Sequence, residues 1–285
     1  MLAPDLGRRL RRRLGRRRGG LGLWLPGLLF CLWVLLGLLG LVLELEPNDV
    51  NLDAILAPPG DLSLLGNDDL GRPVLDRLLV GARTSLLVGL GVVAISATLG
   101  TLIGALAGYA GGTTDLILTR VMDVFLAFPG ILLAIALAGA LGPGIGNLIL
   151  ALVVVGWVGY ARLARAQVLG LAQRDHVVAA RALGQGPASI LVRHLIPLAL
   201  APLLVEATFG VSATVVAEAG LSFLGLGVQP PDASWGTLVR DGVSYLLVAP
   251  HLVVAPGLAI FLVVLSMNLL GDALRDLLDV RIPGG

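Results

Sequence analysis

The chain contains no lysine; all 20 of its basic residues are arginine. A phosphate-binding loop of the G-x-x-x-x-G-K-[ST] type needs that lysine to reach the phosphates, so this chain cannot present one. A single cysteine, Cys31, excludes both a disulfide framework and a cysteine metal cluster. Inside an apolar block, Cys31 is expected to act as a small apolar filler. The three histidines, His176, His194 and His251, show neither H-E-x-x-H nor any other paired ligand spacing. Ser222 sits in Leu-Ser-Phe, which is not a nucleophile elbow. Charge is also scarce, at 14% of residues, where a soluble domain carries about a quarter.

What remains is apolar. Hydrophobic residues make up 56% of the 285-residue chain, and mean hydropathy is +0.93. They come in long blocks, so the natural solvent is lipid. The length suits one bundle of about six helices plus loops, without an additional catalytic domain. The blocks predict spans over roughly Leu21–Leu43, Ser85–Ala107, Leu116–Leu141, Leu148–Leu169, Leu198–Ala217 and Leu247–Leu270. The expected fold is an all-α integral membrane protein. Its divisions are a basic segment 1–20, a first span 21–44, an outer loop 45–84, a core 85–279 and a tail 280–285. The core includes an inner loop 171–197 and an outer segment 219–246.

Arginine bias sets the expected orientation. With the N-terminus inside, Arg8–Arg18, Arg120, Arg162, Arg165, Arg174, Arg181, Arg193, Arg275 and Arg281 are internal, and Arg72, Arg77, Arg83 and Arg240 external. That is 16 against 4, so both termini are expected to be cytoplasmic. Leu6, Leu10 and Leu14 recur between the N-terminal arginines. This spacing predicts a short amphipathic helix on the anionic inner leaflet rather than a nucleic-acid site. A signal peptide is not expected, because the apolar stretch is too long and no A-x-A-like site follows it.

Glu44–Arg83 is polar and rich in Pro, Gly, Asp and Asn, and reads as a loop outside the membrane. Gly100, Gly104 and Gly108 form a doubled G-x-x-x-G, a ridge against which another helix can pack closely. Asp123, Glu206 and Glu218 fall in or near spans. Charges at membrane depth are costly, so each is a candidate either for lining a pathway or for holding helices together. Pro129 and Pro256 are candidate kinks.

The most informative stretch joins spans four and five. Arg174–Gly184 reads as a helix stopping at a glycine, and Pro187 suits the first turn of a second helix. The result is a helix–turn–helix of about 25 residues, longer than a simple connection requires. Its small residues, Ala179, Ala180, Ala182 and Gly184, suit a surface that another protein presses against.

This loop resembles the EAA loop in the inner-membrane permeases of binding-protein-dependent ABC importers. Ala179, Ala180, Gly184, Ile196 and Pro197 match that pattern. Leu65-Gly-Asn-Asp-Asp-Leu-Gly-Arg72, Gly81–Leu86, Ala217–Pro231 with Ser234-Trp-Gly236, and Asn268–Asp276 are similar to the second permease subunit of the dipeptide, oligopeptide and nickel importers. The resemblance runs from about Leu65 to Asp279 and implies a type I ABC importer permease. In such systems a homologous second permease completes the pathway as a heterodimer. Two ATP-binding cassette subunits carry ATP and Mg and dock at the loop. A periplasmic or lipid-anchored binding protein delivers the solute. No cofactor is expected on this chain.

The docking residues the resemblance implies are Asp175, Val178, Ala179, Ala180, Arg181, Gly184, Ile196 and Pro197. Val178 stands where the pattern has Glu, and Asp175, about one turn earlier, is a candidate substitute. Asp279-Val-Arg281 replaces the usual Asp-Pro-Arg. The expected solute is a di- or oligopeptide, with nickel or another small solute as the alternative. An ion-coupled carrier remains open, since the three acidic residues are compatible with it. An intramembrane enzyme would need a catalytic cluster that the sequence does not display.

Overall fold

The computed structural model describes residues 24–40, 42–43, 45–60 and 63–279. The basic segment with Arg8–Arg18, the residues Glu44 and Asp61, and the tail with Arg281 lie outside the described residues. Among the described residues every regular element is helical, and the only extended pairings are two isolated bridges, Gly60–Ser63 and Asn67–Pro73. Lipid offers no partner for backbone N–H and C=O groups, so a spanning segment must satisfy them within itself.

The helices are α1 (Trp24–Gly40), α2 (Val74–Ala110), α3 (Gly112–Leu126), α4 (Gly130–Leu141) and α5 (Ile145–Leu171). After them come α6 (Asp175–Ala182), α7 (Pro187–Ile190), α8 (Ile196–Phe223), α9 (Trp235–Val243) and α10 (His251–Asp279). Four helical runs are long and apolar enough to cross a membrane, and the bent pair α3–α4 makes a fifth. Helix α1 is apolar but, within the described residues, shorter than a span. Leu87, Leu90 and Leu102 on α2 and Leu258 and Phe261 on α10 are exposed, as lipid-facing or partner-facing side chains would be.

Several boundaries differ from those that hydropathy predicts. Leu116–Leu141 is not one kinked span. It breaks between Leu126 and Gly130, and its halves meet at 83°. Pro129 has no N–H to donate and drives Phe128 out of helical geometry, so the break falls there. Pro256 lies inside an uninterrupted α10, as Pro202 does inside α8. The loop expected over 45–84 ends at Pro73, because α2 runs on past the apolar block with Val74, Arg77 and Leu79 buried. Cys31 is exposed and fills no gap in the core.

The glycine ridge of α2 faces α5. A methyl group on Gly100 would stand 2.4 Å from the Trp157 carbonyl, one on Gly104 2.0 Å from that of Ala161, and one on Gly108 2.8 Å from that of Arg165. Only glycine allows so close an approach of two backbones. Helix α1 packs on the N-terminal half of α2, where Gly37 and Gly40 meet Leu86 and Leu79. One end of the molecule gathers residues 45–73, the α4–α5 turn and the segment 224–250. Its ties include the Gly144 N–H to the Gly227 carbonyl at 3.0 Å and the Trp235 indole to the Leu78 carbonyl at 3.0 Å. The opposite end gathers the α2–α3 turn, the ends of α5 and α10, and the α6–α7 loop. There Arg165 grips Asp115 through two hydrogen bonds, one of 2.6 Å.

Substituting Gly104→Ala should lower the unfolding midpoint of the purified protein in detergent, with an overpacking cost of about 1–3 kcal/mol. Gly91→Ala, where nothing lies within 4 Å, should not. Equal midpoints for the two variants would contradict the packing described.

Candidate functional site

Helix α6 is short and held by two inward side chains, Val177 and Ala180, which join the core formed with Ile190, Leu195 and Ala199. It ends in a left-handed glycine: Gly184 has φ of 81°. The Gly184 N–H bonds to the Arg181 carbonyl at 3.0 Å and the Gln185 N–H to the Ala180 carbonyl at 3.1 Å, which satisfies two otherwise orphaned acceptors. Pro187 opens α7. Helix α7 passes through a π turn, Leu191–Leu195, straight into α8. Pro197 cannot donate to the carbonyl four residues back, and a widened turn accommodates that loss. The span expected from Leu198 is therefore the end of a longer helical run, Pro187–Phe223.

The outward face of the loop carries Asp175, Ala179 and Arg181, with Val178 50% exposed and Leu183 83% exposed. Ala180 is buried and Ile196 half-buried, so they support this face rather than form it. Pro197 is exposed beside it. Arg181 lies over the Tyr109 ring, 5.5 Å from its centre, and so ties α6 to the last turn of α2. His194 pairs with Gln185 across the turn at 2.9 Å.

The three acidic candidates have three different surroundings. Asp123 on α3 is half-exposed beside Arg120, 3.7 Å away. Glu218 on α8 is fully buried. It accepts from Ser222 Oγ at 2.8 Å on its own helix and from Ser85 Oγ at 3.3 Å on α2. Ser222 Oγ in turn accepts the Val228 N–H at 3.2 Å, so this carboxylate anchors the turn that follows α8. That turn also stops at a left-handed glycine, Gly225. A capping box between Ser234 and Thr237 then starts α9.

Glu206 instead lines a cavity of about 850 Å³ among α2, α4, α5, α8 and α10. Most of its wall is apolar, including Val92, Ile131, Leu152 and Phe209. The polar exceptions include Ser96, Tyr160 and Asn268, none of which stands out in the sequence as a pathway residue. The available signal was a tyrosine deep in an apolar span beside Gly156 and Gly159.

The motif Leu65–Arg72 forms a tight knot around Asp68. This carboxylate accepts from the Leu70 and Arg72 N–H groups, both at 2.9 Å, and from Arg72 Nε at 2.7 Å. Buried Arg77 stands 3.5 Å away. Gly71 has φ of 73°, and its alpha carbon passes so close to the Asn51 carbonyl that no side chain fits.

Replacing Glu218 by Ala should cost about 1–3 kcal/mol, because it leaves two buried serine hydroxyls short of a partner. Asp123→Asn should cost under about 1 kcal/mol, as befits an exposed ion pair. Thermal unfolding in detergent separates them; a larger loss at Asp123 would reverse these assignments.

Comparison with known proteins agrees with this architecture. Residues 100–283 match the family described as binding-protein-dependent transport system inner membrane component. The chain is 42% identical over 273 residues to a di/tripeptide transport system permease protein of Pseudomonas aeruginosa, covering 93% of this chain and 89% of that one. It is 40% identical over 235 residues to a glutathione transport system permease protein of Pectobacterium atrosepticum, covering 82% and 78%. It is 41% identical over 239 residues to a probable D,D-dipeptide transport system permease protein of Escherichia coli, covering 84% and 80%. With the family match spanning most of the chain and relatives of this identity along nearly all of it, the protein belongs to the binding-protein-dependent transport system inner membrane components and is a transport permease subunit.

Proposed function

We propose that this permease subunit forms half of the pathway of an ATP-driven importer for di- or oligopeptides. Membership in a binding-protein-dependent family sets aside the ion-coupled carrier. The peptide reading is supported by the relatives named for di/tripeptide and dipeptide transport. In this reading both termini are cytoplasmic, α1 is the sixth span, and the protein resides in the inner membrane. A homologous permease completes the pathway. Two ATP-binding cassette subunits hold ATP and Mg and dock on the α6–α7 loop, and an external binding protein delivers the peptide.

One observation carries the mechanism. The helical run Pro187–Phe223 begins in the exposed loop and continues to Glu206, Ser212 and Thr214 on the cavity wall. A push on the loop is therefore passed to the wall along a continuous helical backbone, through the π turn Leu191–Leu195 and past Pro202. Arg181 on Tyr109 passes the same displacement to α2. Closure of the ATPases favours one arrangement of the bundle, and a loaded binding protein favours the other. Transport requires those preferences to differ.

Purifying the tagged subunit in mild detergent and identifying what accompanies it by mass spectrometry tests the assembly. Recovery of a second permease, ATPase subunits and a binding protein is the expected outcome. A lone chain that transports without any ATPase would contradict it. Leu183→Asp should leave the fold unchanged, since the side chain is exposed, yet sharply reduce co-purifying ATPase. Asp175 lies one turn before Val178, and Asp175→Arg should weaken stimulation of ATP hydrolysis by the loaded binding protein. Unchanged stimulation would show that the Asp175 carboxylate plays no part in coupling.

A further inference from the structure

The cavity holds one formal charge and nothing of opposite sign. Glu206 projects from α8 towards α5, and its Oε1 stands 3.7 Å from where a side chain on Gly159 would begin. No Arg or His lines the cavity, and among the described residues no hydrogen bond or ion pair engages this carboxylate. Glu218, twelve residues along the same helix, has two serine partners. A carboxylate at membrane depth normally faces a partner or a polar pathway.

Two further groups on the cavity wall lack partners. The Tyr160 side chain is only 4% exposed, and its hydroxyl has no hydrogen bond. Gly210 leaves room for it, since a methyl group there would stand 2.2 Å from the phenol oxygen. Ser96 Oγ is likewise buried and unpartnered, opposite Gly156. Asn268 on α10 donates its amide to the Val264 carbonyl at 2.9 Å, which leaves its oxygen available as an acceptor. One anion and several neutral oxygens inside an apolar wall match a ligand that brings a positive charge and several N–H donors.

We propose that Glu206 and Tyr160 form a cation subsite inside the pathway that takes the primary ammonium group of the passing solute. This rests on the peptide reading only for the identity of that solute, whose N-terminal ammonium would occupy the subsite. The Glu206 carboxylate accepts the ammonium's N–H bonds, and Tyr160 stands in the cavity wall with its hydroxyl packed against Gly210. The remainder of the solute lies along the apolar wall, which makes no specific demand on side chains. Specificity here is for charge, and it adds to whatever the delivering protein selects.

The test uses the complete purified complex in detergent without its binding protein, titrated with two small probes. Alaninamide carries the ammonium; N-acetylalaninamide has the same backbone without the charge. Saturable binding of alaninamide, tighter than the acetylated probe by about tenfold or more, is expected. Glu206→Gln should abolish the difference and Glu206→Asp should retain it. Tyr160→Phe should reduce alaninamide binding by about threefold. Equal binding of both probes to the unaltered complex, or a preference that survives in Glu206→Gln, would overturn the proposal. Uptake of di-alanine by the whole importer reports on the peptide reading separately. Its absence alongside an intact alaninamide preference would remove the peptide and keep the cation subsite.

Discussion

Glycines at 100, 104 and 108 bring the backbone of α2 into direct contact with that of α5, and much of the remaining geometry follows from that contact. Two helices this close act as one rigid element. On α5 the contact at Ala161 is adjacent to Gly159 and Tyr160, so it also sets where the cavity wall stands. On α2 it aligns Ser96 with the cavity and, further out, Ser85 with Glu218. Burial alone cannot produce such alignment among helices whose outer faces are also apolar. Close packing of small residues can, because it is effective only at one register.

Onto that frame the chain adds one long lever. The run Pro187–Phe223 extends from the exposed loop to the buried Glu218 anchor and passes Glu206 on the way. Its two ends are fixed differently. The C-terminal end is locked by Glu218, Ser222 and the Val228 N–H into the turn that leads to α9. The other end, at Pro187, lies beside α6 with its exposed Val178 and the exposed Leu183, and α6 is itself tied to α2 by Arg181 over Tyr109. Both ends of the run are therefore held, one through the buried Glu218 hydrogen bonds and the other through the core packing of Ile190, Leu195 and Ala199.

The helices were legible in the sequence because lipid leaves the backbone no alternative, and apolar blocks report lipid directly. Their ends were not. Hydropathy reads the solvent rather than the chain, so Val74–Arg83 reads as part of a loop although its backbone is helical, and the helix that opens at Pro187 shows no sign of running on unbroken into the next span. Pro129, Pro202 and Pro256 are chemically the same residue, yet of the three only Pro129 sits at a break, so the residue type by itself does not tell a break from a continuous helix. The loop turn was readable, since Gly184 and Pro187 carry their conformational preferences with them. The three acidic residues were not distinguishable. Ser222, one turn after Glu218, hinted at a partner, but Ser85 lies 133 residues away and Glu206 differs only by what is missing around it.

The central claim is that this subunit passes a solute inward when ATPases act on its inner loop. Sealed vesicles containing the complete complex, loaded with ATP on the ATPase side and supplied outside with binding protein and radiolabelled di-alanine, test it most directly. The account predicts accumulation that depends on ATP and on the binding protein and is lost in Leu183→Asp. Accumulation that proceeds without ATP, or that is indifferent to Leu183→Asp, would contradict it.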